Sequence, residues 1–298
     1  MAHIDETDLP REGPDVVFPG DAALPDALLD LAVPHEDVNA VLRLLRRLPP
    51  DLAALRDRCV WAALAGVALP PLPEHLAVFY VGVAVAAVPH ARARHAGRGV
   101  PPEVAAATLR DVGRQVTRHR RRHGVPGIAN PQWLAKHLRG ELVELGRLQF
   151  EPARLGNRTG TAVAAAGGPG GPGTPSLELH IPDFRGPLTP AAVDDSLEKA
   201  HAFFDDTPFT VAACHSWLLD PQLPGVLPES SNIVAFQRRF TPAYRGPAPE
   251  DDLPLAFVFD DPAVPRARLP RDTALRRALL DHLDAGGHWY AAAGWFRW

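Results

Sequence analysis

SLELHIPDFRGPLTPAAVDDSLEKAHAFFDDTPFTVAACHSWLLD, residues 176–220, is the stretch on which the fold turns. It opens with SLELHIP (176–182), where Leu177, Leu179 and Ile181 face one way and Ser176, Glu178 and His180 the other, the alternation of a strand. Thr189 then offers an N-cap with Pro190 at the first helical position, and Val193, Leu197, Ala200 and Phe204 make the buried face of a helix over 189–204. Phe209–Ala213 is β-branched and aromatic enough for a buried strand, which Asp220-Pro221 terminates. His215, Ser216 and Trp217 thereby fall at a strand end, where α/β sheets present their ligands.

Outward from this unit, LGRLQFE (145–151) reads as a preceding strand. Asn232–Arg239 reads as helical, Leu255–Phe259 as a strand, Asp272–Asp284 as a helix and His288–Phe296 as a final aromatic strand. The Gly/Pro-rich segment over 152–175 reads as a flexible loop, and its G-N-R-T-G matches neither common phosphate-loop spacing. Before residue 144 the periodicity is helical. Val38, Leu42 and Leu45, then Leu52, Leu55, Cys59 and Ala62, repeat at three to four; Leu76–Val88 reads as a buried helix. Val104, Thr108, Val112 and Val116 form the stripe of one helix after Pro101-Pro102, and Pro131 opens another that reaches Leu142. The expectation is an α+β chain, α/β-like in its alternation: a mainly helical domain over 1–143 and a mixed-sheet domain over 144–298.

Composition narrows the function classes. A net charge of -4 and a pI near 6.3 argue against a nucleic-acid partner, and the run Leu76–Val88 is too short to span a bilayer. The start, MAHIDETDLP, lacks a basic-then-apolar leader and the two cysteines lie far apart, which suggests a reduced, cytoplasmic protein. Abundant Ala, Arg, Pro and Gly with one Met point to a GC-rich genome.

The runs HIPDFRGPLTPAAVDDSLEKAHAFF (180–204) and CHSWLLDPQLPGVLPESSNIVAFQRRF (214–240) resemble the GNAT-like C-terminal domain of a bacterial acyltransferase family with a helical N-terminal domain. The resemblance covers most of residues 130–298. It implies acyl transfer to a small-molecule or peptide amine from an acyl-thioester, either acyl-CoA or a phosphopantetheine thioester on an acyl carrier protein, with no metal. In the GNAT order the loop and helix after the central strand hold the cofactor phosphates, and the next strand splays away to admit the pantetheine arm. Arg185, Gly186 and Thr189 are then the candidate phosphate residues, a role physically apt for a helix N-terminus, with Ser216, Trp217 and Gln237 as further cofactor candidates. Pro187 after Arg185-Gly186 departs from the usual R/Q-x-x-G-x-G/A loop, which favours a carrier-protein donor or a binding module that has lost catalysis.

Catalysis by direct attack needs a proton acceptor, and Glu178 and His180 share a strand face two residues apart, with His215 at the end of the neighbouring strand and Asp220 able to orient an imidazole. These surround an expected cleft at the strand ends. A Ser/His hydrolase is disfavoured because His215 and Ser216 project to opposite faces and no G-x-S-x-G elbow exists. A zinc site from Glu178, His180, His215 and Asp220 lacks any anchoring ligand spacing. Arg118–Gly124, RHRRRHG, reads as a solvated helix end or as a docking patch for an acidic carrier protein.

Overall fold

The computed structural model describes residues 8–183, 186–259 and 264–298, and the chain divides into two units, Met1–Val143 and Glu144–Trp298. The first is helical: α1 (Leu24–Asp30), α2 (His35–Leu45), α3 (Leu52–Ala65), α4 (Phe79–Gly97), α5 (Pro102–Leu109), α6 (Asp111–His123) and α7 (Pro131–Arg139). Helix α4 runs through Pro89, well past the expected end at Val88, and its first nine residues are buried. Glu74–Gly97 is long and apolar enough to cross a membrane by length and composition, with an 18-residue stretch of mean hydropathy 1.5, but 67% of that stretch is buried inside the structure. It is the core helix of this unit, packed on α3 and α7 among others.

The single helix expected from Val104 to Val116 is two, α5 and α6, broken at Arg110. The Leu31 carbonyl reaches in to accept the Gly113 N–H at 3.0 Å, so a neighbouring loop satisfies one of the donors at the new helix start. Helix α7 stops at Arg139, where Gly140 takes a left-handed φ of 63°, short of the expected Leu142.

The second unit contains β1 (Val143–Leu145), β2 (Leu148–Arg154), α8 (Asn157–Ala165), β3 (Pro175–His180), α9 (Pro190–Phe203), β4 (Val211–Ser216), α10 (Leu223–Val226), α11 (Asn232–Gln237), β5 (Thr241–Arg245), α12 (Asp252–Val258), α13 (Ala274–Asp284) and β6 (Ala292–Arg297). The sheet order is β1-β2-β3-β4-β6-β5. Strands β3 and β4 run parallel, joined across α9; β2–β3, β4–β6 and β5–β6 are antiparallel. The fold is α+β, as the alternation implied. Gly146 turns the chain between β1 and β2 with φ +74°, and a Cβ there would stand 2.7 Å from Ser196 Oγ. That hydroxyl, wholly buried on α9, accepts from the Arg147 and Leu148 N–H groups at 2.7 and 3.3 Å and donates to Ala192 O, tying α9 to the start of β2.

Three sequence expectations are corrected here. The Gly/Pro-rich segment is not a flexible loop: residues 157–165 are helix α8, and the run after it is pinned by backbone bonds from Gly168 N to Val163 O and Gly173 N to Leu155 O, each 2.8 Å. Its glycines permit contact as well as freedom, since a Cβ on Gly160 would meet Pro172 N at 2.3 Å. Leu255–Phe259 is not a strand; α12 covers 252–258, a short apolar run whose period does not separate buried helix from strand. The strand β5, TPAYR, was not expected, because Pro242 disguises it. Proline is tolerated on an edge strand, and the register is irregular between Pro242 and Tyr244.

Candidate active site

Cross-strand register decides which side chains meet. In an antiparallel pair, directly opposed residues point to the same face. Gln149 opposes His180 and Glu151 opposes Glu178 across β2–β3, and Glu178 lies beside Ala213 across the parallel β3–β4 pair, which puts His215 on that face as well. His215 in turn opposes Ala293, which opposes Tyr244. One face of the sheet therefore carries Glu151, Glu178, His180, His215 and Tyr244. On the same face Val163 of α8 packs against Val211, Trp295 and Leu155.

His180 Nε2 lies 3.0 Å from Glu151 Oε2, with 20% and 14% of the two side chains exposed. Nitrogen and carboxylate atoms of Glu151, Glu178 and His180 all fall within 4.8 Å of one another. Such a spacing suits a shared proton or a cation, and the direct His180–Glu151 bond already engages one imidazole nitrogen. The strands also part at this point. Among the described residues, β3 and β4 pair at Leu177–Ala212 and Glu178–Ala213, while β3 continues to His180 and β4 to Ser216. The trio thus stands where two parallel strands cease to pair.

Glu178 and His180 are brought together as predicted. His215 shares their face but is exposed, its ring 6.1 Å from that of Tyr244. Asp220 takes no part: it is fully buried, accepting from Gln222 N at 3.0 Å and from Tyr290 N at 2.8 Å, with the Gln222 amide 3.2 Å from both oxygens. It joins the loop after β4 to the approach to β6 and orients no imidazole. Ser216 Oγ accepts from Leu218 N at 3.1 Å, capping the turn Trp217–Leu219. Trp217 is core, 5% exposed among Leu223, Leu279 and Trp289. Gln237 Nε2 donates to Leu218 O and Asp220 O at 2.7 and 2.9 Å. These last three shape the loop and offer a cofactor little.

At the head of α9, Thr189 Oγ1 accepts from Ala192 N at 3.2 Å, and Gly186 holds φ +77°; Arg185 lies outside the described residues. Two acidic residues near this helix start are paired, Asp194 with Arg239 and Asp195 with Lys199, each at 2.6 Å. Arg147 donates to Gly186 O and Pro182 O at 3.0 Å each, holding the loop before the helix. Cys214 is buried, and burial first, then the Glu178 charge, pushes its thiol far above the ordinary range, so it is no nucleophile.

Glu151 escaped the sequence reading. Its signal was its phase with Gln149 on the first strand, which acquires meaning only once Glu178 is known to be its partner.

Two domain families match the chain: an N-acyltransferase N-terminal domain over residues 22–140 and a GNAT-like C-terminal domain over residues 142–296. These two domains define a GNAT-like N-acyltransferase, a transferase enzyme. The chain belongs to the family that joins these two domains. A solved acyltransferase in complex with decanoyl-CoA and teicoplanin is 36% identical, with 98% of this chain and 92% of that one covered and a TM-score of 0.83. An acyltransferase in complex with CoA and 10C-Teicoplanin gives 35% identity over the same shares and a TM-score of 0.84. A mutant acyltransferase in complex with octanoyl-CoA gives 35%, again over 98% and 92%, with a TM-score of 0.83. No curated protein matches the chain.

Proposed function

We propose that this chain moves an acyl group from acyl-CoA to an amine on a small-molecule or peptide acceptor, of the glycopeptide kind that its structural relatives hold. The observation that carries the reading is the Glu151–Glu178–His180 trio at the parting of β3 and β4. The amine nitrogen attacks the thioester carbon; the carbonyl electrons move to oxygen and return as the C–S bond breaks, and the thiolate departs with the bonding pair. His180 takes one N–H proton, which ends on the thiol, and the neighbouring carboxylates of Glu178 and Glu151 stabilise the imidazolium that forms. No enzyme nucleophile is needed.

Donor choice is supported by the relatives, which hold CoA or acyl-CoA. At the basic end of α6, Arg120 is bound to Asp37 at 2.7 Å and to Glu36 at 3.3 Å, and His123 to Glu74 at 2.6 Å, so these two groups serve the helical unit. Both cysteines are buried thiols outside any disulfide, in keeping with a reducing, cytoplasmic setting.

Mass spectrometry of acceptors incubated with acetyl-, octanoyl- or decanoyl-CoA, across an amine panel that includes teicoplanin, tests the reading alongside a free-thiol assay. The expected result is acceptor mass increased by one acyl group with equal thiol release. Thiol release without acylated product would make the chain a thioester hydrolase, and neither signal would make it a binding module.

A further inference from the structure

We infer that Glu151 is a positioning residue that holds His180 in the tautomer protonated at Nε2, so that Nδ1 is the nitrogen that receives the proton from the attacking amine. The inference rests on His180 being the proton acceptor. A carboxylate offers only lone pairs, so the imidazole nitrogen 3.0 Å from Glu151 Oε2 is the one that carries hydrogen. A neutral imidazole has one protonated nitrogen, and its basic atom is therefore Nδ1.

The backbone enforces this arrangement. Glu151 sits opposite Glu178, and His180 opposite Gln149, in an unbroken antiparallel ladder from Gln149–His180 to Arg154–Pro175. The Glu151–His180 bond is thus a diagonal contact between rigid strands, within reach of long side chains. Phe150, between the two polar positions of β2, is fully buried on the opposite face and fixes the phase of that strand. Moving the register by one residue would send both side chains to the other face. Each side chain is mostly shielded from water, which strengthens the bond and limits the ring's alternatives.

Among the described residues, Glu151 from β2, Glu178 from β3 itself and His215 from β4 share the sheet face that carries the ring. Of these, Glu151 is the one whose hydrogen bond to the ring is established. Glu178 contributes charge, and Glu151 contributes charge and direction.

An isosteric change separates positioning from packing. Glu151→Gln keeps the volume and the hydrogen-bonding capacity, but its amide can donate to Nε2 and lock the ring in the opposite tautomer. The expected result is that Glu151→Gln and Glu151→Ala each lower kcat by roughly 10- to 100-fold. Glu151→Gln should be no better than Glu151→Ala, with KM for acyl-CoA and acceptor within about twofold of the unsubstituted enzyme and Tm unchanged. Independently, the ¹⁵N spectrum of the unsubstituted protein, with His180 assigned against His180→Gln, should show Nε2 protonated and Nδ1 bare at neutral pH.

A full-rate Glu151→Gln enzyme alongside an inactive His180→Gln enzyme would overturn the role of Glu151 and leave the acceptor role of His180 standing. Full turnover in His180→Gln would remove both. A His180 ring protonated at Nδ1 in the unsubstituted protein would overturn the tautomer assignment without recourse to any variant's activity.

Discussion

The segment from Cys214 to Gln237 and the facing strands β2 and β3 both carry concentrated polar side chains, and the two use them differently. In the segment, Ser216, Asp220 and Gln237 bond to backbone groups of their own loop or of its anchor before β6, and Cys214 and Trp217 are buried. On the strands, Glu151 and His180 bond to each other and leave Glu178 beside them. Polar residues on a loop after a strand are needed to satisfy a chain that has just lost its ladder. Polar residues in register on a paired face have no such backbone duty, and are available to a ligand.

The most severe challenge to this division is Asp220→Ala. Removing a fully buried acceptor that serves Gln222 N and Tyr290 N should cost about 2–4 kcal/mol of stability. Turnover per folded molecule should stay within about twofold of the unsubstituted enzyme. Urea unfolding and kcat on the same preparation decide it, and a loss of kcat in fully folded protein would return Asp220 to the catalytic group.

Asp111 of the helical unit sharpens the same contrast, because it too is a buried carboxylate with structural partners. Burial by itself would raise its carboxyl, but His137, Arg114 and Gln115 outweigh that and hold it down at about 2. Its folded value lies below the 3.8 expected of the unfolded chain. The stabilisation, about 2 kcal/mol, is therefore fully present above that value and drains away as pH falls toward 2. Unfolding free energies measured from pH 6 to pH 2 should show this slope, flattened in Asp111→Asn.

The mildest test is Ser216→Ala, which removes a cap and should cost about 1 kcal/mol, read as a small fall in Tm, with acyl transfer unaffected. A large loss of thiol release in Ser216→Ala would instead revive a serine nucleophile.

Local signals in the sequence account for much of the second unit. Thr189 and Pro190 mark the start of α9, alternation marks β3, and the pair Glu178 and His180 follows from that alternation. What local patterns could not supply was anything set by distant pairing. Glu151 gains its role from His180, 29 positions away, across the helix α8 that the Gly/Pro-rich composition concealed. Strand β5 is concealed by Pro242, and α12 by an apolar run too short to show its period. Asp220 and Gln237 were read as chemistry because their company was polar, and only three-dimensional bonding shows that company to be backbone.

The two ends of the sheet have a bearing on how the protein behaves in concentrated solution. One edge is β1, only three residues long, and the other is β5, where Pro242 lacks an amide hydrogen and the register breaks before Tyr244. A neighbouring molecule seeking to add its own strand would find too few consecutive donors and acceptors at either border. The margins of the sheet are thus uninviting, and self-association through extended chain is discouraged where it would otherwise begin.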